Sequence, residues 1–299
     1  MINNFNTNIL YLSDLLPKRH PKFYKTFSEI LVQNKVEYHI LKGTKDIWAR
    51  DYMPIQFSDH SFTAFKYAPS YLKTKTLKAT ITNHHFVCKD LQFKIENSNV
   101  KLDGGNVVSY MNKAILCDRV IEENPGYTIK ELTEELRWGL RTNNIIYIPT
   151  PKDDIFGHVD GLVRFIDKKN VLINDYGKED KAYERQLRSA LTKAGFSIHA
   201  LPYNPYRNKS YMDATGVYIN FLHMKGIIFL PVFGLPEDGL ALEKLGSIFK
   251  EKIVPVPSTE IAKQGGVLNC ISWNISKPST LYGDLEKEID RDILCLGLD

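Results

Sequence analysis

Val171-Leu172-Ile173-Asn174-Asp175 is a short apolar run that ends on two polar residues, just ahead of a helically spaced segment at 180–194. Ala114-Ile115-Leu116-Cys117-Asp118 and Ile227-Ile228-Phe229-Leu230-Pro231 stand in equivalent places, before helical patterns at 128–140 and 237–250. An apolar run of this length followed by an amphipathic stretch predicts a strand feeding a helix. Outward from these three units, the pattern predicts strands at 8–12, 36–41, 144–148, 162–166 and 253–256, a helix at 21–34, and a hairpin-like pair from 218–222 and 226–230. Gly195 marks the end of the 180–194 helix. The recurring order of paired strands and one helix predicts an α/β fold with an internal repeat, and such repeats can close radially with their strands around a central funnel.

No Gly-, Ser- or Pro-rich linker cuts the chain, so a single domain over 1–299 is expected, with the Lys- and Thr-rich region 73–83 as an exposed loop. The 39 basic and 35 acidic residues leave a net charge of +4, and the basic residues are scattered. That distribution predicts neither nucleic acid nor an acidic membrane surface as a partner. Cys88, Cys117, Cys270 and Cys295 lie far apart without a C-x-x-C pair, which argues against a zinc site or a disulfide framework and for a reducing, cytoplasmic setting. Residues 1–6 lack the basic start and apolar core of a signal peptide, and no apolar run approaches membrane-spanning length.

Four segments carry polar chemistry. Gly265-Gly266-Val267-Leu268-Asn269-Cys270 places a thiol after a Gly-Gly pair, where a ligand can approach closely, although a buried cysteine also serves as an apolar filler. Asp46-Ile47-Trp48-Ala49-Arg50-Asp51 sets acids beside a tryptophan that is costly to expose. A shielded carboxylate needs a cation. Arg50 is a candidate partner for one acid, leaving another for a cationic ligand. Asp103-Gly104-Gly105-Asn106 reads as a turn, but Met111-Asn112-Lys113 is the better turn, so Asp103 is expected at the mouth of a strand. In Gly157-His158-Val159-Asp160-Gly161, an extended backbone through Phe165 would put His158 and Asp160 on one face.

If the repeats close around an axis, these segments bring together a thiol, an imidazole and several carboxylates. Hard divalent cations prefer oxygen ligands, and zinc prefers more Cys or His than this set holds. A Cys-His-acid acyl-transfer site wants an oxyanion hole rather than surplus acids. Surplus carboxylates suit a cationic substrate, and a planar guanidinium matches two carboxylates at once.

The ordered set Asp46-x-Trp48-x-Arg50-Asp51-x-x-Pro54, Asp103-Gly104-Gly105-Asn106, Gly157-His158-Val159-Asp160 and Gly265-Gly266-x-x-x-Cys270, with Tyr218-Ile219-Asn220-Phe221 between, resembles the agmatine deiminases and bacterial peptidylarginine deiminases. The resemblance covers nearly the whole chain. It implies a five-bladed pentein α/β propeller with pseudo-fivefold strand-helix repeats. It further implies hydrolysis of agmatine to N-carbamoylputrescine and ammonia, a step toward putrescine. Cys270 would be the nucleophile, His158 the general acid and base, and Asp51 and Asp160 the guanidinium clamp. Asp103 would orient His158 or the substrate, while Trp48 and Asn220 would line the pocket. No metal or organic cofactor is implied, the partner is a small guanidino compound, and a homo-oligomer is compatible with this reading.

The chain departs from the family pattern in three places: Asn269 stands where histidine usually precedes the cysteine, Tyr52-Met53 where Thr-Gly is usual, and Asp103 where glutamate is common. It is also compact for the family. These departures leave free arginine, peptidyl arginine or another guanidino compound open as substrate. Amidino transfer to an amine and a non-catalytic pentein binding module are the remaining alternatives.

Overall fold

In the computed structural model, which describes residues 1–205, 208, 210 and 212–277, five three-stranded sheets are found among the described residues. The first holds β1 (Ile9–Ser13) and β2 (Glu37–Leu41), and the second β3 (Ile55–Ser58), β4 (Ser61–Lys66) and β5 (Lys94–Lys101). The third is β6 (Val108–Tyr110), β7 (Lys113–Cys117) and β8 (Asn144–Ile148), and the fourth β9 (Val163–Phe165), β10 (Asn170–Asn174) and β11 (Ser197–Leu201). The fifth is β12 (Leu222–Met224), β13 (Ile227–Val232) and β14 (Lys252–Pro257), after which β15 (Ser272–Ile275) returns to the first sheet.

One plan serves every blade. An antiparallel pair is followed by a crossover to a third strand parallel to the middle one. Parallel neighbours need such a crossover. It is made by helices Pro21–Gln33, Ile129–Leu140, Lys181–Lys193 and Glu237–Ile248 in four blades, and by the short helices Lys75–Lys78 and His84–Cys88 in the second. Pairing of β15 with β1, from Ile9 opposite Ile275 to Leu12 opposite Ser272, closes the ring.

Four of the five middle strands, β1, β7, β10 and β13, are covered on both faces and read as nearly unbroken apolar runs rather than alternating ones, whereas β4 carries Thr63 among its apolar residues. Val171 and Ile173 pack with Leu187 and Leu191 of their own crossover helix, while Leu172 joins the cluster that holds Leu201, Leu222 and Phe229. In the third blade Ala114 and Leu116 face Leu132, Leu136 and Leu140, while Ile115 and Cys117 face the fourth blade's cluster. Two of the long crossover helices start on side-chain caps. Thr128 and Glu131 form a reciprocal capping box, and Asp180 accepts from the Tyr183 amide at 2.8 Å.

Several expectations shift. The 218–222 strand begins only at Leu222, after a turn at 218–219 and a bend at Asn220. The region 73–83 is mostly exposed but contains the helix Lys75–Lys78, capped by Thr74. The second sheet and β11 went unpredicted, whereas the strand character of the run entered at Cys270 matches β15. The β5 sequence Lys-Ile-Glu-Asn-Ser-Asn-Val-Lys is polar because it is a sheet edge with only Ser98 and Val100 buried. Cys295 lies outside the described residues. Among those described, no helix is long and apolar enough to cross a membrane.

Candidate active site

The site residues expected from the sequence sit on connections between consecutive blades. Asp51 lies on the helix Ala49–Tyr52 between β2 and β3, and Asp103 caps the turn Gly104–Asn106 between β5 and β6. His158 and Asp160 lie at the turn Val159–Gly161 between β8 and β9, Asn220 lies between β11 and β12, and Asn269-Cys270 lies between β14 and β15. Because the ring closes, the five connections meet.

Hydrogen bonds tie them together. Gly105 N–H donates to Asp51 Oδ1 at 3.1 Å, and His158 Nδ1 stands 3.6 Å from the same oxygen. His158 Nε2 is 3.0 Å from Asp103 Oδ2, to which Tyr71 also donates at 2.8 Å. Asn269 Nδ2 donates to Asp160 Oδ2 at 2.6 Å, and the Asn269 amide to the Asn220 carbonyl at 3.1 Å. Cys270 Sγ is 3.3 Å from Asn220 Oδ1 and 3.9 Å from Asp160 Oδ2. The Arg50 amide donates to the Cys270 carbonyl at 3.0 Å, so the thiol and the neighbouring Asp51 are held in one frame.

Electrostatics follow from this crowding. Burial, then the charges of Asp103 and Asp160, raise the Asp51 carboxyl to about 7. Burial disfavours charge on His158 too, but Asp51 and the hydrogen-bonded Asp103 outweigh it and raise the imidazolium to about 10. The Cys270 thiol is pushed well above its ordinary value by burial and by Asp160 and Asp51. Both carboxylates would be relieved by a cation, which is the physical signature of a site poised for one.

Two cavities reach Cys270, His158, Phe156 and Gly265. One, of 430 Å³, is lined by Asp153, Asp154, Asp160, Glu179, Asp180 and Asp213 against Lys152 as its one described lysine or arginine. The other, of 220 Å³, is walled by Trp48, Tyr67, Tyr71 and Met212, with Asp51 at its floor.

The structure thus brings together all the expected residues: Trp48, Asp51, Asp103, His158, Asp160, Asn220 and Cys270. Two local readings change. Residues 159–161 form a 3-10 turn and β9 spans only Val163–Phe165, so strand alternation does not align His158 with Asp160. Glycine at 157, with φ of +66°, starts this turn. Arg50 pairs with neither nearby acid. Its guanidinium bonds Asn274 and reaches the Asn269 carbonyl at 3.5 Å, while Asp46 pairs with Arg19 at 3.0 Å.

Tyr71, Gly105 and Arg164 also belong to the site and were not expected. Arg164 is buried, its guanidinium lies 4.7 Å over the Phe221 ring, and burial lowers it to about 10 despite the nearby Asp160 charge. A charged residue inside the apolar run Leu162-Val163-Arg164-Phe165 was the signal available for it. Tyr71 had none.

Five such blades with a polar centre at their meeting point define a pentein α/β propeller. Residues 10–275 match the family described as Porphyromonas-type peptidyl-arginine deiminase, and the chain belongs to that family. It is 26% identical over 216 residues to the agmatine deiminase of Stutzerimonas stutzeri, a match covering 62% of this chain and 58% of that protein. The chain therefore matches less than two thirds of that relative's length. The C. jejuni agmatine deiminase structure superposes with a TM-score of 0.76 at 19% identity, covering 92% of this chain and 95% of the other. That of Enterococcus faecalis gives 0.73 at 16% identity, covering 93% and 95%. At these identities the structural likeness speaks for the fold alone.

Proposed function

We propose that this protein is a deiminase that hydrolyses the guanidinium group of agmatine through a covalent Cys270 intermediate, giving N-carbamoylputrescine and ammonia. The observation that carries the reading is a buried thiol facing Asp160 and Asn220, with Asp51, Asp103 and His158 completing the wall. Asp51 and Asp160 hold the guanidinium and fix its carbon against Sγ. Burial, then the charges of Asp160 and Asp51, keep the thiol protonated; the bound cation neutralises those two charges, so the thiol gives its proton to solvent and the thiolate forms when substrate arrives.

Sulfur then bonds to the guanidinium carbon, the C–N bond to one terminal nitrogen breaks, and His158 gives that nitrogen the proton with which it leaves as ammonia. His158 next takes a proton from water as the water oxygen bonds to the same carbon, and as the C–S bond breaks the new hydroxyl passes its remaining proton to sulfur, releasing the ureido product and restoring the thiol. Asp103 holds the imidazole. The acid-rich 430 Å³ cavity supports agmatine over arginine, because an ammonium tail is attracted there and an α-carboxylate is repelled. No step requires a second domain, and the chain is read as one unit over 1–299.

Ammonia release from agmatine, free arginine and an arginine-containing peptide, with Cys270→Ala as control, tests this. Turnover of agmatine that vanishes in the variant is expected. Preference for arginine or the peptide would remove the agmatine assignment, transfer of the amidino group to an added amine would replace hydrolysis, and no turnover at all would leave a binding module.

A further inference from the structure

Asp160 is 1% exposed, and its two oxygens have different surroundings. Oδ2 accepts from Asn269 Nδ2 at 2.6 Å and lies 3.9 Å from Cys270 Sγ, whereas Oδ1 has no hydrogen-bond partner among the described residues. A carboxylate can only accept from a neutral amide, so the Asn269 side chain must turn its NH₂ end toward Asp160. That leaves Asn269 Oδ1, on a residue 2% exposed, also without a partner among the described residues. An unpaired buried acceptor is destabilising. A side chain chosen for stability would not be left in this state, whereas one chosen to present a donor to Asp160 would.

The backbone around Asn269 is fixed as well. Its N–H is held by the Asn220 carbonyl, and its own carbonyl is reached by the Arg50 guanidinium at 3.5 Å. The donor therefore sits on a tethered segment, one residue before the thiol.

We propose that Asn269 is the positioning residue for Asp160: its amide pins Oδ2, fixes the carboxylate plane, and leaves Oδ1 for the guanidinium. This rests on the deiminase reading above. The charged and titratable groups around Asp160 are Arg50 and Asp51 from the helix Ala49–Tyr52, His158 on its own turn, Arg164 on β9, Cys117 on β7 and Cys270. Asn269 adds a neutral donor to that set, so the grip on Asp160 does not itself titrate.

The test uses Asn269→Asp in the full chain. The substitution preserves shape, but the introduced carboxyl donates only while protonated. Activity on the guanidino panel is read as the variant-to-wild-type ratio of kcat/KM at each pH, which cancels the titration of groups common to both. The ratio is expected to be down about thirtyfold at pH 8 and to recover severalfold on acidification. If this variant does not fold, Asn269→Ala carries the test, with KM expected to rise about tenfold and kcat to change less. A pH-independent Asn269→Asp ratio within about threefold of one, or an unchanged KM in Asn269→Ala, overturns the proposal while leaving the deiminase reading standing. A wild-type protein that neither turns over these compounds nor, as Cys270→Ser, binds them by calorimetry removes the deiminase reading and this role with it.

Discussion

His158 Nε2 and Asp103 Oδ2 are 3.0 Å apart, and the same oxygen accepts from Tyr71, so the acid that faces the imidazole is itself fixed in place. With Asp51 on its other nitrogen, the histidine is raised to about 10. A raised histidine favours the charged form. Its stabilisation is complete below the ordinary value of 6.5 and is lost as pH rises through about 10. Asp103→Asn removes one of the three carboxylate charges, of Asp51, Asp103 and Asp160, that raise His158. The alkaline limb of kcat/KM is expected to move down by roughly one pH unit, together with the alkaline loss of thermal stability. A limb that stays put in the variant would show that Asp103 does not act on His158.

Asp51 is raised as well, but in a carboxyl this favours the neutral form. Its carboxyl is raised from 3.8 to about 7, so the folded, ligand-free protein binds the proton more tightly than the unfolded chain does. Stability of the ligand-free protein should therefore fall as pH rises from about 4 to about 7, and a guanidinium ligand should bind more tightly across the upper part of that range. In Asp51→Asn both dependences flatten, and affinity drops roughly 10- to 100-fold for loss of a charged hydrogen-bond acceptor. Calorimetric titration of agmatine into Cys270→Ser, with and without Asp51→Asn, at pH 5.5 and 8 reads both effects.

Gly105 is a sterically determined position. A methyl group there would lie 2.6 Å from Asp51 Oδ1 and 2.7 Å from His158 Nδ1, so the two groups must part to admit it. Gly105→Ala should keep the fold and lose at least about tenfold in kcat/KM, because misplacement by about an ångström near a reacting centre carries a penalty of that size or larger. Wild-type activity in a folded Gly105→Ala protein would mean that Asp51 and His158 need not stand together.

These positions show what the sequence could and could not reveal. The middle strands other than β4 were legible because a strand buried on both faces is largely apolar, as at Val171–Ile173. The second sheet was not, because its edge strand β5 is polar and its crossover is split into two short helices without a long amphipathic pattern. The Asp, His and Cys residues stood out because reactive groups beside glycines are unusual in apolar surroundings. Their grouping on the five inter-blade connections follows only from ring closure by β15 and β1, a contact between chain ends that no local pattern encodes.

The crossover helices should carry the stability of the blades. Leu187 is fully buried between Val171, Ile173 and Leu191 in the fourth blade's cluster. Leu187→Ala leaves a cavity there and should cost about 2–5 kcal/mol. Urea titration measures this, with the midpoint falling and the slope unchanged. A loss below about 0.5 kcal/mol, the size of an ordinary surface substitution, would contradict the packing described.

Burial and the charges of Asp160 and Asp51 raise Cys270 well above its ordinary value and outweigh the Val267 backbone and Asn220 side-chain hydrogen bonds, which lower it. Alkylation requires the thiolate, so the rate with iodoacetamide should climb about tenfold per pH unit between pH 6 and 9 with no plateau. Peptide mapping of the alkylated protein isolates Cys270 from the other cysteines. A rate that levels off near neutral pH would mean that the ligand-free site already holds a thiolate. The cation would then not be what ionises the sulfur, and the coupling of substrate binding to nucleophile formation would have to be abandoned.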